Sequence, residues 1–474
     1  MADSYSLLPF RFDRLDGDDY ILTNLVGEQL VLSGAKLAAL IDRREPLEPE
    51  DQADLRSKHF IRYDGERAPL ELLALKFRTR FSRLPEFTSL HIFVVSLRCD
   101  HSCPYCQVSR RSEDRAAFDM TQEIAERGLD FVFRSPSRAV KIEFQGGEPL
   151  LNFDLVRHIV IEAKRRNESQ GRDLRFVIAT TLSLLTDEVL EFCAEHEIDL
   201  SASLDGPQDL HNANRPRPGK DSHQRFVDGL SKARAALGYD RISALMTTTE
   251  RSLQQPEAIV DEYLRLGFST IFLRPLSPYG FALKTKSYAA YEVERWLDFY
   301  RKGLDYIIDL NRRGVEFSEQ YAGIILKKML TSSDPAYVDL MNPAGAGIAA
   351  IVFNYDGGVY ASDESRMLAE MGDQTFRLGN LLEDSYEDII LSDNLLDALE
   401  DSFTLSAPMC SDCAFEPFCG ADPVFHHATQ GDVVGRKPES AFCQRNMAIF
   451  KHLIRLMRSD PFISDLFRRW ATQC

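Results

Sequence analysis

The chain has 474 residues, of which 44% are hydrophobic and 27% are charged, which is the composition of a globular protein large enough for several domains. A formal net charge of −17 argues against a general affinity for nucleic acid. The sequence has no apolar run of about 18 residues, and its N-terminus has no basic start followed by an apolar core. We therefore expect neither a transmembrane helix nor a secretory signal, and we predict a cytoplasmic protein with no membrane partner.

Residues 1–85 make up the first predicted unit. The stretch DYILTNLVGEQLVLS predicts short strands, and the stretches AKLAALIDRR and ADLRSKHF predict helices. We interpret this order as a small winged-helix-like unit.

Residues 86–335 alternate between apolar runs and helix-length segments. Such alternation predicts an α/β fold whose parallel strands form a partial (β/α)6 barrel. Active sites of such folds lie at the C-terminal ends of the strands. Long helical segments between about 290 and 330 are expected to close this unit. The six predicted strands are LHIFVVSL, AVKIEFQG, LRFVIATTL, IDLSASLDG, RISALMTTT and STIFLRPL.

Three cysteines directly follow the first of these strands. Cys99, Cys103 and Cys106 have the spacing C-x3-C-x2-C. Three thiolates can hold three irons of a four-iron cluster and leave the fourth iron open to an outside ligand, which is typical of a reactive centre. A zinc site completed by His101 or by a distant residue is the alternative.

Residues 336–474 form the third predicted unit, which carries a second cysteine group. CSDCAFEPFC and one later cysteine supply Cys410, Cys413, Cys419 and Cys443. Four thiolates make a closed site for either zinc or an iron–sulfur cluster.

The first cysteine group resembles the signature of the radical S-adenosylmethionine (SAM) enzymes. That signature is C-x3-C-x-aromatic-C after a first strand, and the aromatic residue here is Tyr105. The resemblance implies that the chain binds SAM and a [4Fe-4S] cluster. It also implies that SAM is cleaved reductively and that the resulting 5′-deoxyadenosyl radical abstracts a hydrogen atom from the substrate.

The next motif arrives in the order of this family. Gly146, Gly147, Glu148 and Pro149 follow the strand KIEFQ and resemble the GGEP motif, which holds the amino group of SAM. Paired glycines let the backbone approach a ligand closely, and a carboxylate accepts charge-assisted hydrogen bonds from an ammonium group. An ordinary turn is the alternative.

The resemblance assigns five further residues to SAM binding. Ser203 and Asp205 end a strand and would reach the ribose and its neighbours. Arg215 would pair with the SAM carboxylate through its planar guanidinium group. Met246 lies where the family packs adenine, and Gln145 matches a SAM contact of sulfatase-maturing relatives. The alternatives are a strand filler for Ser203, a surface residue for Arg215 and a core residue for Met246.

The third unit resembles the SPASM or twitch extension, which carries auxiliary four-iron clusters. A full extension has seven cysteines and two such clusters. This chain has Ser362 and Pro423 at two of the cysteine positions, and MNPAGAG, near 345, lacks a third. The missing ligands belong to the cluster nearer the active site. We therefore predict one SAM-binding cluster and one closed auxiliary cluster on the second cysteine group, which would relay electrons or support the structure.

Asp363 is the candidate catalytic residue. An aspartate at this place removes a proton from the substrate in sulfatase-maturing relatives, and a surface or turn role is the alternative. His426 and His427 follow the second cysteine group as alternative metal ligands or as neighbours of the ligands.

The motifs together resemble the His-Xaa-Ser system radical SAM maturases of the HxsB type. The resemblance implies three partners, namely a ribosomally made precursor peptide, a second radical SAM maturase, and an electron donor such as flavodoxin or ferredoxin. Residues 1–85 would be either a leader-peptide recognition unit, to which the peptide adds a strand, or a structural cap. The resemblance rests on RCDHSCPYCQVSR, IEFQGGEP, SLDGPQDLHNANRP, SALMTTT, IFLRPLSPYGFA, NYDGGVYASDE and CGADPVFHHATQG.

Two other functions stay open. One is a radical SAM enzyme that acts on RNA or on a small molecule, although the acidic net charge and the cysteine-rich extension argue against RNA. The other is a non-catalytic zinc-binding scaffold for the peptide maturation complex. The presence of Glu148 together with the first cysteine group argues against a scaffold, because a scaffold needs no SAM pocket.

Overall fold

The computed structural model describes residues 5–42, 47–108, 110–284, 288 and 292–473. In these ranges, no helix is both long enough and apolar enough to cross a membrane.

The N-terminal part has a core of its own. Leu22, Leu40, Leu55 and Phe60 belong to a cluster of buried side chains that is separate from the main core. The predicted strands and helices are present here, except that residues 43–44, which end the stretch AKLAALIDRR, lie outside the described residues. The elements are β1 (Tyr5–Leu7), β2 (Phe10–Asp16), β3 (Asp19–Asn24), β4 (Gln29–Ser33), α1 (Gly34–Asp42), α2 (Pro49–Ser57), β5 (Ile61–Tyr63) and α3 (Ala68–Arg80). Strands β2, β3 and β4 form an antiparallel meander, and β1 pairs with β5.

The central part alternates strands and helices, as the sequence pattern predicts. Side-chain caps start several helices, and the hydroxyl of Thr121, for example, accepts a hydrogen bond from the backbone N–H of Ile124. The elements are β6 (Leu90–Ser96), α4 (Arg115–Phe118), α5 (Gln122–Val132), β7 (Ala139–Gly146), α6 (Phe153–Gln170), β8 (Asp173–Thr180), α7 (Asp187–Glu195), β9 (Ile198–Ser203), α8 (Gln208–Asn214), α9 (Ser222–Leu237), β10 (Ile242–Leu245), α10 (Pro256–Arg265), β11 (Thr270–Ile271), α11 (Phe281–Lys284), α12 (Val293–Arg312), β12 (Ser318–Glu319) and α13 (Gln320–Leu330).

The C-terminal part begins with three short strands and continues with helices. The elements are β13 (Ala350–Phe353), β14 (Gly358–Tyr360), α14 (Asp363–Ala369), β15 (Arg377–Asn380), α15 (Tyr386–Ile390), α16 (Asp393–Asp401), α17 (Pro423–Gln430), α18 (Ala441–Ser459) and α19 (Pro461–Gln473).

Five of the six predicted strands, β6 to β10, are parallel neighbours in one sheet. The sixth, β11, has only two residues and pairs with β12. The chain after β11 still follows the sheet edge, because the N–H of Thr248 donates to the carbonyl of Arg274 at 3.0 Å. Pro275 cannot donate a ladder hydrogen bond, which limits this strand. The predicted α/β barrel class is thus confirmed, with a reduced sixth strand.

Strand β13 joins the C-terminal part to the same sheet. It runs parallel to β6, with Ile351 opposite His91 and Phe353 opposite Phe93. The sequence pattern did not predict this strand, because its four apolar residues stand in a turn-rich stretch. Since β6 leads into the first cysteine group, the C-terminal part is held directly beside that group.

One buried carboxylate connects the N-terminal part to the loop of the second cysteine group through ion pairs. The Glu416 side chain is 0% exposed and pairs with Arg11 at 3.0 Å and with Arg80 at 3.1 Å. The Thr404 hydroxyl and the Asn342 amide also donate to it, at 2.7 and 3.2 Å. The cations thus come from the N-terminal part and the other two donors from the C-terminal part, so Glu416 ties the two parts together.

Replacing Glu416 by alanine should destabilise the protein by about 2–4 kcal/mol, because two largely buried guanidinium groups would lose their counter-charge. Urea denaturation measures this loss. Glu86→Ala is the control, since Glu86 is half exposed and lies 3.8 Å from Arg83. The control should cost less than about 1 kcal/mol. Equal costs for the two variants would contradict the role of Glu416.

Candidate active site

The first cysteine group lies at the C-terminal edge of the sheet. Cys99, Cys103 and Cys106 are partly buried on the loop that follows β6. Burial raises the pKa of the Cys103 thiol to about 12. The free thiol therefore carries its proton at neutral pH, and metal binding would release that proton.

The glycine pair after β7 packs against the backbone of this cysteine loop. The N–H of Gly147 donates to the carbonyl of Ser96 at 2.8 Å. A Cβ atom on Gly147 would lie 2.1 Å from the carbonyl oxygen of Arg98 and 2.9 Å from the Cβ of Cys99. Gly146 has a φ of +141°, and a Cβ there would lie 2.0 Å from the Ser96 carbonyl oxygen. The cysteine loop passes so close to this turn that a side chain at either position would collide with its backbone. The sequence alone did not reveal this reason for the glycine pair.

Glu148 is fully buried beside this turn. Its carboxylate accepts hydrogen bonds from the Thr180 hydroxyl and from both the N–H and the hydroxyl of Thr181, each at 2.8 Å, and from the Leu150 N–H at 3.2 Å. Burial raises the pKa of Glu148, and the hydrogen bonds from Thr181 and Thr180 act against that rise. An ammonium group at this carboxylate would share it with these four donors.

A buried hydrogen-bonded group joins three of the predicted residues. Asp205 accepts hydrogen bonds from the Tyr105 hydroxyl, from Arg215 at 3.0 Å and from the Thr247 N–H at 3.2 Å. The Arg215 side chain is largely buried, so it is not a solvated surface residue. Its Nε has no partner among the described residues. A buried donor of this kind fits an anionic ligand such as a carboxylate.

The remaining predicted SAM contacts lie at neighbouring strand ends. Gln145 is partly buried on β7, where its amide donates to Glu143 at 2.8 Å. Ser203 is partly buried at the end of β9, opposite Leu245 of β10. Met246 is 0% exposed and belongs to the main core, which was the alternative role for this residue.

His101 is already engaged by protein partners. Its Nδ1 lies 2.7 Å from Asp100, and its Nε2 lies 2.8 Å from the Ser222 hydroxyl. A ligand atom of Cys99 lies within 4.8 Å of ligand atoms of Asp100 and His101, so these three residues could hold a metal ion. Ligation by His101 would break one of its two hydrogen bonds, which weighs against the predicted zinc alternative.

The second cysteine group lines one cavity of about 550 Å³. Cys410, Cys413, Cys419 and Cys443 all border it, and Phe12 of the N-terminal part forms part of its wall. A tetrahedral zinc ion with Zn–S bonds of about 2.3 Å requires sulfur atoms about 3.8 Å apart. Among the described residues, no three cysteine sulfurs lie within 4.8 Å of one another. The thiols of neither group are therefore arranged as three ligands around a single zinc ion.

The two histidines near this cavity also have protein partners. His426 contacts the carbonyl of Asp422 through Nδ1 at 2.6 Å and the Ser440 hydroxyl through Nε2 at 2.9 Å. The Nε2 of His427 lies 2.7 Å from Asp373. These contacts fit the predicted role of neighbours better than that of ligands.

The positions of the missing cysteines come together in the fold. Ser362, Pro423 and the stretch MNPAGAG, through Gly345 and its neighbours, border one small cavity of about 10 Å³, which is about the space of one water molecule. Ser362 is the N-cap of α14, and Pro423 is the first residue of α17 after the N-cap Asp422. Two of the positions predicted to lack a ligand therefore start helices, and the space between them does not accommodate a four-iron cluster.

Asp363 and Glu364 face different surroundings. Asp363 is paired with Arg366 at 3.2 Å on α14. Glu364 borders the small cavity between the starts of α14 and α17, and it also borders a second, polar cavity. Asp339 and Asp422 line both cavities with it. Sequence reasoning missed these three carboxylates, because they come from distant segments with no shared motif. The one local signal for Glu364 was its place directly after Asp363.

Comparison with known proteins identifies the central part. Residues 93–262 match the radical SAM superfamily. This stretch of the chain is therefore similar to the radical SAM superfamily, which implies SAM and a [4Fe-4S] cluster as cofactors. Its mixed α/β fold with a parallel sheet agrees with that match.

Similar proteins include maturases. A cysteine-type anaerobic sulfatase-maturating enzyme of Clostridium perfringens is 22% identical over 347 residues, which are 70% of this chain and 87% of that protein. The structure of anSMEcpe with bound AdoMet (SAM) is 16% identical with a TM-score of 0.63, covering 81% of this chain and 99% of that one. The structure of Streptococcus suis SuiB bound to precursor peptide SuiA is 17% identical with a TM-score of 0.55, covering 93% and 100%. The match spans 62% of the length of one uncharacterized relative from Methanocaldococcus jannaschii.

Gly147→Ala should destabilise the protein by about 2–3 kcal/mol, because the added methyl group would meet backbone on the cysteine loop. Denaturation followed by circular dichroism measures this change. Gly65→Ala is the comparison, since Gly65 has a φ of +86° but no atom within 4 Å of an added Cβ. That variant should cost only about 1–2 kcal/mol for its left-handed backbone. A Gly147→Ala variant as stable as the unchanged protein would contradict the close packing.

Glu364→Gln should change the pH dependence of stability. Burial and then the nearby Asp339 raise the pKa of Glu364 from 4.5 to about 8. Because the pKa of Glu364 is raised in the folded state, its contribution to the free energy of unfolding is fully present below pH 4.5. That contribution is lost as the pH rises toward 8. The variant should therefore be more stable than the unchanged protein above this range, by several kcal/mol since one pKa unit corresponds to about 1.4 kcal/mol, and similar to it at the lower end.

Urea denaturation near pH 5 and pH 8.5 tests this, with Glu370→Gln as the control outside the two cavities. The same stability difference at both pH values would contradict the raised pKa of Glu364.

Proposed function

We propose that this chain is a radical SAM enzyme that modifies a ribosomally made precursor peptide, of the kind that carries His-Xaa-Ser repeats. The observation that carries the proposal is one sheet edge that brings together the three thiols after β6, the Gly147 turn and the unpartnered Nε of Arg215. A peptide substrate is supported by the similarity to SuiB, whose structure holds a precursor peptide, and to a sulfatase-maturating enzyme.

The residues at this edge fit the two cofactors. Cys99, Cys103 and Cys106 would hold three irons of a [4Fe-4S] cluster, and the backbone N–H of His101 already lies 3.5 Å from the Cys99 sulfur, as suits a thiolate ligand. When bound, the cluster and SAM would supply the 5′-deoxyadenosyl radical that removes a hydrogen atom from the peptide. Arg215 would hold the SAM carboxylate.

Asp205 would keep this arrangement rigid. It fixes the guanidinium group of Arg215 and the hydroxyl of Tyr105 at one place. Asp363 is the proposed proton acceptor, and its ion pair with Arg366 orients it.

The second cysteine group would hold the one auxiliary [4Fe-4S] cluster. The N–H of Phe415 lies 3.4 Å from the Cys413 sulfur, and four thiols leave no open iron for a substrate. We infer that this cluster relays electrons or supports the loop around Glu416.

The organisation of the chain follows from these roles. Residues 1–85 would recognise the leader peptide or cap the barrel, residues 86–335 would carry the radical chemistry, and residues 336–474 would carry the auxiliary cluster. The proposed partners are the precursor peptide, a second radical SAM maturase, and a flavodoxin or ferredoxin in the cytoplasm.

Replacing Cys99, Cys103 and Cys106 together by alanine should abolish 5′-deoxyadenosine formation from SAM after reduction with dithionite, because no cluster would remain to deliver the electron. About four irons on the second cysteine group should stay bound. The assay is chromatography of 5′-deoxyadenosine together with an iron count, both without oxygen.

The matched control is Cys193→Ala, because Cys193 is buried on α7 outside both groups. This variant should keep its cleavage activity. Cleavage that survives the triple change would overturn the proposal, and zinc without iron in the unchanged protein would favour the scaffold function.

A further inference from the structure

A small polar chamber lies between the chain after β11 and the C-terminal part. It measures about 30 Å³, which is room for about two water molecules. The side chains of Arg274 and Glu364 are 28% and 20% exposed, so the chamber is reachable from solvent. Its polar lining includes Arg274, Tyr279, Tyr337, Asp339, Glu364 and Asp422.

The negative charge of the carboxylates in this chamber is not fully balanced by the described cationic side chains that line it. Glu364 lies 3.7 Å from Arg274, which is beyond hydrogen-bond distance. Asp339 accepts from the Tyr337 hydroxyl at 3.2 Å, and Asp422 accepts from the Phe425 N–H at 2.9 Å. These two donors are neutral. Three carboxylates thus face two guanidinium groups, those of Arg274 and of Arg445, which also borders the chamber.

The Tyr279 hydroxyl is a second, independent sign of a ligand. Tyr279 is 1% exposed, and its hydroxyl has no hydrogen-bond partner among the described residues. Tyr279 borders the chamber together with Asp339, Glu364 and Asp422. Burial raises the pKa of Tyr279, and these three carboxylates raise it further. A buried hydroxyl without a partner is costly unless a ligand satisfies it.

The chamber adjoins the first cysteine loop. Phe281, two residues after Tyr279, donates its N–H to the carbonyl of Cys106 at 2.8 Å. Arg366, two residues after Glu364, donates to the carbonyl of Val108 at 3.4 Å. Two walls of the chamber are therefore attached to the loop that would hold the SAM-binding cluster.

We propose that this chamber binds a primary ammonium group of the substrate, either a lysine side chain or the amino terminus of a peptide. An ammonium group is about the size of a water molecule, carries the missing positive charge and donates three hydrogen bonds. Planar guanidinium and imidazolium groups are too large for the space. The peptide identity of the ligand rests on the proposed function, whereas cation binding rests on the chamber alone.

The titration of the chamber supports the same ligand. Burial and then Asp339 raise the pKa of Glu364 to about 8 and the pKa of Asp422 to about 7. These carboxyl groups therefore retain protons near neutral pH, as expected where a counter-cation is missing. Ammonium binding should release protons.

Thermal unfolding of the full-length protein at constant ionic strength tests the proposal. Methylammonium should raise the Tm in a saturable way, since it binds the folded state, whereas the larger tetramethylammonium should not. Glu364→Gln and Tyr279→Phe should each weaken methylammonium binding by about tenfold or more. Glu370→Gln, outside the chamber, should leave it unchanged. Equal effects of the two cations, or undiminished binding in both chamber variants, would overturn the proposal.

Two further arms identify the source of the cation. A short acetylated peptide with one lysine should bind if the ligand is a side chain, and a norleucine peptide with a free amino terminus should bind if the ligand is a terminus; the acetylated norleucine peptide should not bind in either case. If potassium raises the Tm as much as methylammonium does and neither peptide ammonium has an effect, the occupant is an inorganic ion and the substrate assignment fails. Neither arm requires SAM cleavage. A protein that binds methylammonium without cleaving SAM overturns the proposed function alone, and the reverse result overturns the chamber alone.

Discussion

The close contact between the glycine turn after β7 and the cysteine loop after β6 is the constraint on which the rest of the candidate site depends. A side chain at Gly146 or Gly147 would collide with the backbone of that loop. The contact fixes Cys99 beside the turn. Glu148, which follows Gly147 in the chain, is then held in place by hydrogen bonds from Thr180 and Thr181. The proposed catalytic centre is thus built from the ends of adjacent strands, where a parallel sheet places its loops together.

In the C-terminal part, two of the positions predicted to lack a cluster ligand take part in starting helices. Ser362 now caps α14 through a reciprocal pair of hydrogen bonds with Ser365. Pro423 occupies the first turn of α17, where its missing N–H costs nothing. The space between these helix starts is lined by the carboxylates of Asp339, Glu364 and Asp422 and by no thiol among the described residues.

Local sequence patterns predicted much of the fold and the place of the first cysteine group after a strand. This was possible because apolar runs and cysteine spacing are properties of short segments. The runs from LHIFVVSL to RISALMTTT correspond to β6 to β10. Local patterns could not predict three other features: the pairing of β13 with β6, the ion pairs of Glu416 with the N-terminal part, and the chamber around Glu364. Each depends on residues from segments far apart in the chain, whose meeting is decided by tertiary packing and leaves no local pattern.

Iron Mössbauer spectroscopy of the protein, purified without oxygen and measured with and without SAM, tests the central claim most directly. The account predicts about eight irons in two clusters, with the signal of one iron altered by SAM, because only the first cysteine group leaves an iron open. About twelve irons, an unchanged spectrum on SAM addition, or zinc in place of iron would contradict it.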